Sequence, residues 1–213
     1  MPFIGVQPAS ALLTSADIQD GQITTAKIAN DAVDNTKLDL TSSYDFSAGL
    51  TLGDNLTFDV AGKGVHLGVT SATASNLMDD YEEGTWTPGI SYTGGQTATM
   101  NQTSGVYTKL GRIVHCTGML SILNKNSGSG DANLTGLPFT VADSVSHTSL
   151  EGNGVIGYYA TLSANVFTMT LTPVNSDTKC ELYTGASGTT STRATVSHFD
   201  NNAQIRFSFN YAV

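Results

Sequence analysis

Charge is scarce in this chain, and what there is leans one way. Nine Lys and Arg stand against eighteen Asp and Glu in 213 residues, giving a formal net charge of −9 and a charged fraction of 13 %. No basic run is present. Phosphate contacts need clustered Lys and Arg, so nucleic acid is excluded as the partner. Cysteine is almost as rare: Cys116 and Cys180 form no Cys-x-x-Cys and have no His at ligand spacing. Cys116 falls in the alternating run Val114, Cys116, Gly118, Leu120 and reads as a small core residue. Free buried thiols are expected, with a mutual disulfide or thiol chemistry as the alternatives. No stretch approaches the roughly 20 apolar residues of a membrane span. The opening Met-Pro-Phe-Ile-Gly-Val-Gln-Pro lacks a basic region followed by an apolar core. Neither membrane insertion nor signal-directed export is expected, and lysis is one route out of a cell.

Catalytic motifs are missing too. There is no Gly-x-Ser-x-Gly elbow, since Gly185-Ala-Ser187-Gly188 has the wrong spacing. Gly62-Lys63-Gly64 is too short for a phosphate loop and sits between strands. His66, His115, His147 and His198 stand apart from one another. The sequence therefore predicts no enzyme and no cofactor.

What the chain does have is a rhythm. Ile18, Ile23, Ile28, Val33 and Leu38 recur every five residues. A helix turns about 100° per residue, so a step of five scatters these side chains around its circumference. A strand alternates faces, so the same step flips the side each time. A repeating, turn-containing unit whose copies wrap one another can bury all five. The spacers fit this: Asp20-Gly21 and Asn30-Asp31 form turns, and Thr24 or Thr25 can cap one helical turn.

Residues 1–40 thus read as a docking leader and pentad arm, with the apolar Phe3, Ile4 and Val6 suited to a groove in another protein. Residues 41–78 change rhythm. Phe46, Ala48, Leu50 and Leu52, then Leu56, Phe58 and Val60, then Val65 and Leu67 alternate around Gly-rich turns. They predict short strands, marginal alone, that form a neck by stacking around a shared threefold axis. Residues 79–85 read as an acidic hinge. From 86 to 213, about eight strands with no convincing helix predict a β-sandwich head of jelly-roll type. Its clearest strand runs through Ile205, Phe207, Phe209 and Tyr211, alternating with Arg206, Ser208 and Asn210. The expected whole is an all-β homotrimer.

Two groups of residues qualify as sites. Asp79, Asp80, Glu82 and Glu83 read first as a solvated hinge. Three copies around an axis would offer oxygen ligands to a hard cation, or carboxylates for glycoside hydrolysis. Tyr92, Tyr158 and Tyr159 are candidates for a sugar-binding surface, because aromatic faces stack on sugar rings.

Three stretches carry a resemblance. Asp20-Gly21-Gln22-Ile23-Thr24-Thr25-Ala26-Lys27-Ile28-Ala29 resembles the repeated arm of bacteriophage tail fibres, especially marine and cyanobacterial ones. Asn76-Leu77-Met78-Asp79-Asp80-Tyr81-Glu82-Glu83-Gly84-Thr85-Trp86-Thr87-Pro88 is similar to the junction before the distal domain of such proteins, and Gly62–Gly68 to the segment preceding it. The resemblance implies a homotrimeric virion protein, assembled in the host cytoplasm and exposed on the particle. It implies anchoring to the tail through the N-terminus and presentation of the distal head to a host-surface glycan or protein. This chain has no long coiled coil or β-helical shaft, so a capsid decoration, cement or head-fibre protein is the alternative. A polysaccharide depolymerase is the third reading.

Overall fold

The computed structural model describes residues 18–19, 21–29, 32, 36–37, 48–69, 71–143, 152–163, 166–185, 188 and 190–213. Phe3, Ile4, Val6, Val33 and Leu38 lie outside the described residues. The chain divides into two units, Met1–Leu56 and Thr57–Val213.

In the first unit one turn of 3-10 helix spans Thr25–Lys27. It is closed by the Lys27 amide donating to the Thr24 carbonyl at 2.9 Å. The Lys27 ammonium reaches back to the Gln22 carbonyl at 2.6 Å. Ile18, Ile23 and Ile28 are all exposed. In a single copy these three keep 42–56 % of their surface in water.

The second unit begins with little regular structure. Leu50, Leu52, Leu56, Phe58 and Val60, on either side of the boundary between units, are exposed and lie in no strand. The neck strands predicted there are not formed. An isolated short strand has no ladder to close. Only β1 (Val65–His66) pairs, with β2 (Leu77–Met78), and both are two residues long.

The rest is one antiparallel sheet. Its strands are β3 (Tyr81–Trp86), β4 (Gly89–Tyr92), β5 (Thr99–Leu110), β6 (Ile113–Asn124), β7 (Ala132–Thr135), β8 (Gly152–Leu162), β9 (Thr168–Pro173), β10 (Lys179–Gly185), β11 (Thr192–Arg193) and β12 (Phe199–Ala212). The neighbour order is β3-β5-β6-β12-β8-β9-β10-β7-β4, with β11 added beside β10. β3 and β4 therefore sit at opposite ends of the path, yet only Thr87 and Pro88 separate them in sequence. Laid flat, nine strands spread over about 38 Å, while three Cα steps reach at most about 11 Å. The sheet must curl until its ends meet. The closure is visible where the Ala98 amide, leading into β5, donates to the Ile90 carbonyl of β4 at 2.9 Å.

Residues 79–85 are consequently no hinge. Tyr81–Trp86 forms edge strand β3, paired with β5 from Tyr81↔Leu110 to Trp86↔Gly105. The β5–β6 hairpin turns on Gly111, at φ +54°, and Arg112, a two-residue loop that favours positive φ at its first position.

The core lies inside the curl. β12 contributes Phe199, Ile205, Phe207, Phe209 and Tyr211, all buried, the last four as their alternation predicts. Trp86 packs tilted on Phe207 at 5.8 Å and edge-on to Phe209 at 6.0 Å, and Phe209 stacks with Tyr211 at 5.9 Å. Gly105 and Gly118 make room for these rings. A Cβ at Gly105 would come within 2.4 Å of the Trp86 indole nitrogen, and one at Gly118 within 2.7 Å of the Phe207 ring.

Cys116 and Cys180 are free and fully enclosed in this core. Burial pushes the Cys116 thiol up to about 12 from an ordinary 9.0, and raises Cys180 as well. A thiol raised in this way keeps its proton in the fold and loses it first in the unfolded chain. The fold is therefore at full strength below pH 9.0 and weakens as pH climbs towards 12. The slope is about 1.4 kcal/mol per pH unit for each thiol. Urea titrations across pH 8 to 11 are expected to show this fall, and a Cys116→Ala/Cys180→Ala chain to show a shallower one.

Candidate functional site

Curling gives the sheet an outer surface of two characters. On β3, β5, β6, β12 and β8 the outward residues line up in cross-strand rows. The first row is Tyr81, Leu110, Ile113 and Ala212, with the first three exposed. The second is polar: Glu83, Thr108, His115, Asn210 and Asn153, in which His115 Nδ1 lies 2.6 Å from Asn210 Oδ1. The third is Thr85, Val106, Thr117, Ser208 and Val155, with Val155 61 % exposed. The fourth is Ser104, Met119, Arg206 and Tyr158. The Arg206 guanidinium lies 4.8 Å over the Tyr158 ring. A shallow groove of about 390 Å³ runs along Gly105 and Gly118 between the third and fourth rows.

The other half, on β9, β10, β7 and β11, is polar. Glu181 and Tyr183 share one side of β10, and the Tyr183 hydroxyl donates to Glu181 Oε2 at 2.6 Å. That bond, more than burial, holds Tyr183 above its ordinary pKa. Arg193 pairs with Glu181, donates to Asn133 Oδ1 at 2.7 Å and lies 5.5 Å over the Tyr183 ring. Lys179 pairs with Asp177 at 2.5 Å and keeps that carboxyl below its usual range.

No family model matches this chain, and no curated protein matches it. A solved structure does: the Dettilon tailspike protein (gp208), at TM-score 0.50 and 17 % identity over 62 % of this chain. The likeness is one of fold. The matched region spans 23 % of the tailspike chain.

The residues picked out from the sequence fare differently. Tyr92 is 3 % exposed and belongs to the core, not to a sugar-binding surface. The Gly128 backbone packs against its ring, where a Cβ would come within 2.3 Å. Its hydroxyl is buried without a hydrogen-bond partner. A stranded hydroxyl costs about 1–3 kcal/mol. Tyr92→Phe is therefore expected to hold or raise the urea midpoint, whereas a ligand-binding tyrosine would show lost binding at unchanged stability.

Tyr158 and Tyr159 are both on the surface, 45 % and 37 % exposed. Tyr158 does not share a face with Ile156, two residues before it. Phe207 pairs with Ile156 and Arg206 with Tyr158, so Gly157 is an extra residue, a bulge that switches the facing of the strand. Ile156 points in, Tyr158 points out beside Arg206, and Tyr159 lies opposite the buried Ile205. The Tyr159 hydroxyl donates to the Phe167 carbonyl at 3.1 Å.

The acidic residues are drawn apart by the strand. Asp80 pairs with Lys109, Glu82 accepts from the Tyr107 hydroxyl and Glu83 from the Tyr81 hydroxyl. Among the described residues no three His, Cys, Asp or Glu gather as a metal site. Sequence reading missed Arg206, Glu181, Tyr183 and Arg193. Each sits alone in an unremarkable local pattern, and only pairing between distant strands brings it to its partners.

Proposed function

We propose that the protein is a non-enzymatic bacteriophage virion fibre, with an N-terminal arm docked on the tail and a trimeric, jelly-roll-type head presented to a host-surface glycan. The observation that carries this reading is the likeness of fold to a phage tailspike over 62 % of the chain. Self-association has separate support in the apolar outer rows. The four rows span about 20 Å along the strands and about 20 Å across them, roughly 400 Å². On this face Tyr81, Leu110, Ile113, Val106 and Val155 are exposed beside a polar row, and exposed apolar residues rimmed by polar ones mark interaction surfaces. Its occupant is a second copy of the same face region around a threefold axis. Exposed Ile18, Ile23 and Ile28 fit an arm that is completed by its own copies. Trimeric presentation turns weak single contacts into strong attachment by raising effective concentration. The acidic strand residues are occupied by Lys109, Tyr107 and Tyr81, which favours a binding role over hydrolysis.

The alternative is a capsid decoration or cement protein, favoured by the exposed apolar residues Leu50, Leu52, Leu56, Phe58 and Val60, which have the chemistry to clamp shell subunits. Antibody raised against the full chain and gold-labelled on intact particles separates the two. Label at the tail tip supports the fibre, and label across the shell supports cement.

A further inference from the structure

β3 is the strand by which everything ahead of it holds the head. It meets β5 through six register pairs, Tyr81↔Leu110 to Trp86↔Gly105. The chain that feeds it lies beyond the turn of the β5–β6 hairpin, where Leu67, Leu77, Met78 and Asp79 line a small hollow against Leu110 and Gly111. Tension arriving from that side draws β3 along its own axis and slides it over β5. All the rungs of the ladder are then loaded at once. A ladder pulled sideways opens one rung at a time.

The inner faces of the two strands block that slide. Trp86 sits over Gly105 and Tyr107 over Gly84, so each ring on one strand fills the gap left by a glycine on the other. A Cβ at Gly84 would come within 2.6 Å of the Tyr107 ring, and one at Gly105 within 2.4 Å of the Trp86 indole nitrogen. A slip of one residue turns every side chain to the opposite face. A slip of two in the direction of pull sets Trp86 opposite Tyr107, ring against ring, with no glycine to receive either. Other contacts fasten the strand in its register. The Gly111 amide donates to the Asp80 carbonyl at 2.7 Å. Asp80 pairs with Lys109 and Glu82 accepts from the Tyr107 hydroxyl, both partners standing on β5. At the far end Trp86 is buried and packs on Phe207 and Phe209.

We propose that β3 carries tension from the preceding chain into the sheet, and that the two ring–glycine pairs lock its register under load. The inference rests on the attachment reading above for the source of that tension.

Force spectroscopy on the full-length chain tests it, with one handle at the N-terminus and the other on an added thiol. Cys116 and Cys180 are enclosed, so the added cysteine takes the handle. Ser127→Cys lies in the exposed turn after β6, about 37 Å along that strand from the hairpin. Pulling there loads β3 in shear. A cysteine appended after Val213 lies at the hairpin end instead, since the Val213 amide donates to the Arg112 carbonyl at 2.9 Å. Pulling there peels the strands apart. The yield force is expected to be severalfold higher in shear. Forced opening reports the barrier and not the equilibrium stability, so melting curves serve to confirm that each variant folds. Tyr107→Ala removes one ring of the lock and is expected to bring the shear force down towards the peeling force. Tyr107→Phe keeps the ring, loses the bond to Glu82 and is expected to retain most of it. Equal forces in the two directions overturn the proposal, as does a folded Tyr107→Ala chain that yields at the parent force. Both readouts are taken on the isolated protein. Equal forces sink the lock and leave the fibre standing, and label across the shell in the antibody experiment sinks the fibre and leaves the lock.

Discussion

Replacing Val106 and Val155 together by aspartate is expected to break the protein into single chains. Both residues lie on the third outward row, Val106 on β5 and Val155 on β8, and both are more than half exposed in one copy. Their change leaves the core of the head untouched. In an isolated chain the substitution costs little, since surface changes away from packed features usually stay within about 0.5 kcal/mol. In a trimer each aspartate enters a desolvated apolar contact, three times over, and an unpaired buried charge is far costlier than that. Sedimentation equilibrium on the parent is expected to give three times the 22.2 kDa chain mass, and on the variant the chain mass itself. Circular dichroism checks that the sheet persists. A parent that sediments as a single chain removes the threefold assembly outright. A variant that stays trimeric moves the interface off this face and leaves the arm as the source of association.

Phe209→Ala is expected to cost the head about 3–5 kcal/mol, the usual effect of emptying a buried phenylalanine site. Phe209 is 2 % exposed and touches the rings of Trp86, Phe207 and Tyr211. It joins strands β12 and β3, which meet only through the curl. Its loss leaves a void walled by rings that are themselves wedged against Gly105 and Gly118, so little collapse is available. Domains of this size are stable by about 5–15 kcal/mol. The substitution removes a large share of that, and urea or heat unfolding measures it. A shift under about 1 kcal/mol would mean that the curl does not depend on its aromatic column.

How much of this was legible in the sequence depended on where each residue's partners lie. β12 was readable because Ile205, Phe207, Phe209 and Tyr211 alternate without a break, and both neighbouring strands accept that alternation. The run Val114, Cys116, Gly118, Leu120 was readable on β6 for the same reason, with Val114, Cys116 and Leu120 in the core, while Ile113 and Met119 line the outer rows. β3 was missed because Tyr-Glu-Glu-Gly has no apolar alternation. Its acidic groups are held by Lys109, Tyr107 and Tyr81, two of which come from the next strand in the sheet. β5 hid for a related reason: it places glycine at 105, where Trp86 needs the space, and a pattern with an empty position does not look like a strand. The facing of Tyr158 was not legible, because a bulge is a cross-strand event and one strand alone gives no sign of it beyond a glycine. Tyr92 was misplaced because its Gly-rich neighbourhood looks like surface. Those glycines instead let the chain close over the ring.

The order of the strands has a consequence for synthesis. β12 pairs with β6 on one side and β8 on the other, so it is the seam between two half-sheets, yet it follows both of them in the chain. Both halves leave the ribosome before the strand that joins them. Until Phe199–Ala212 emerges, Val114, Cys116, Leu120 and Ile156 lack their neighbouring strand and its rings. A nascent head is therefore sticky and incomplete until its final stretch is translated. A message cut short near codon 200 should yield aggregate rather than a smaller folded sheet.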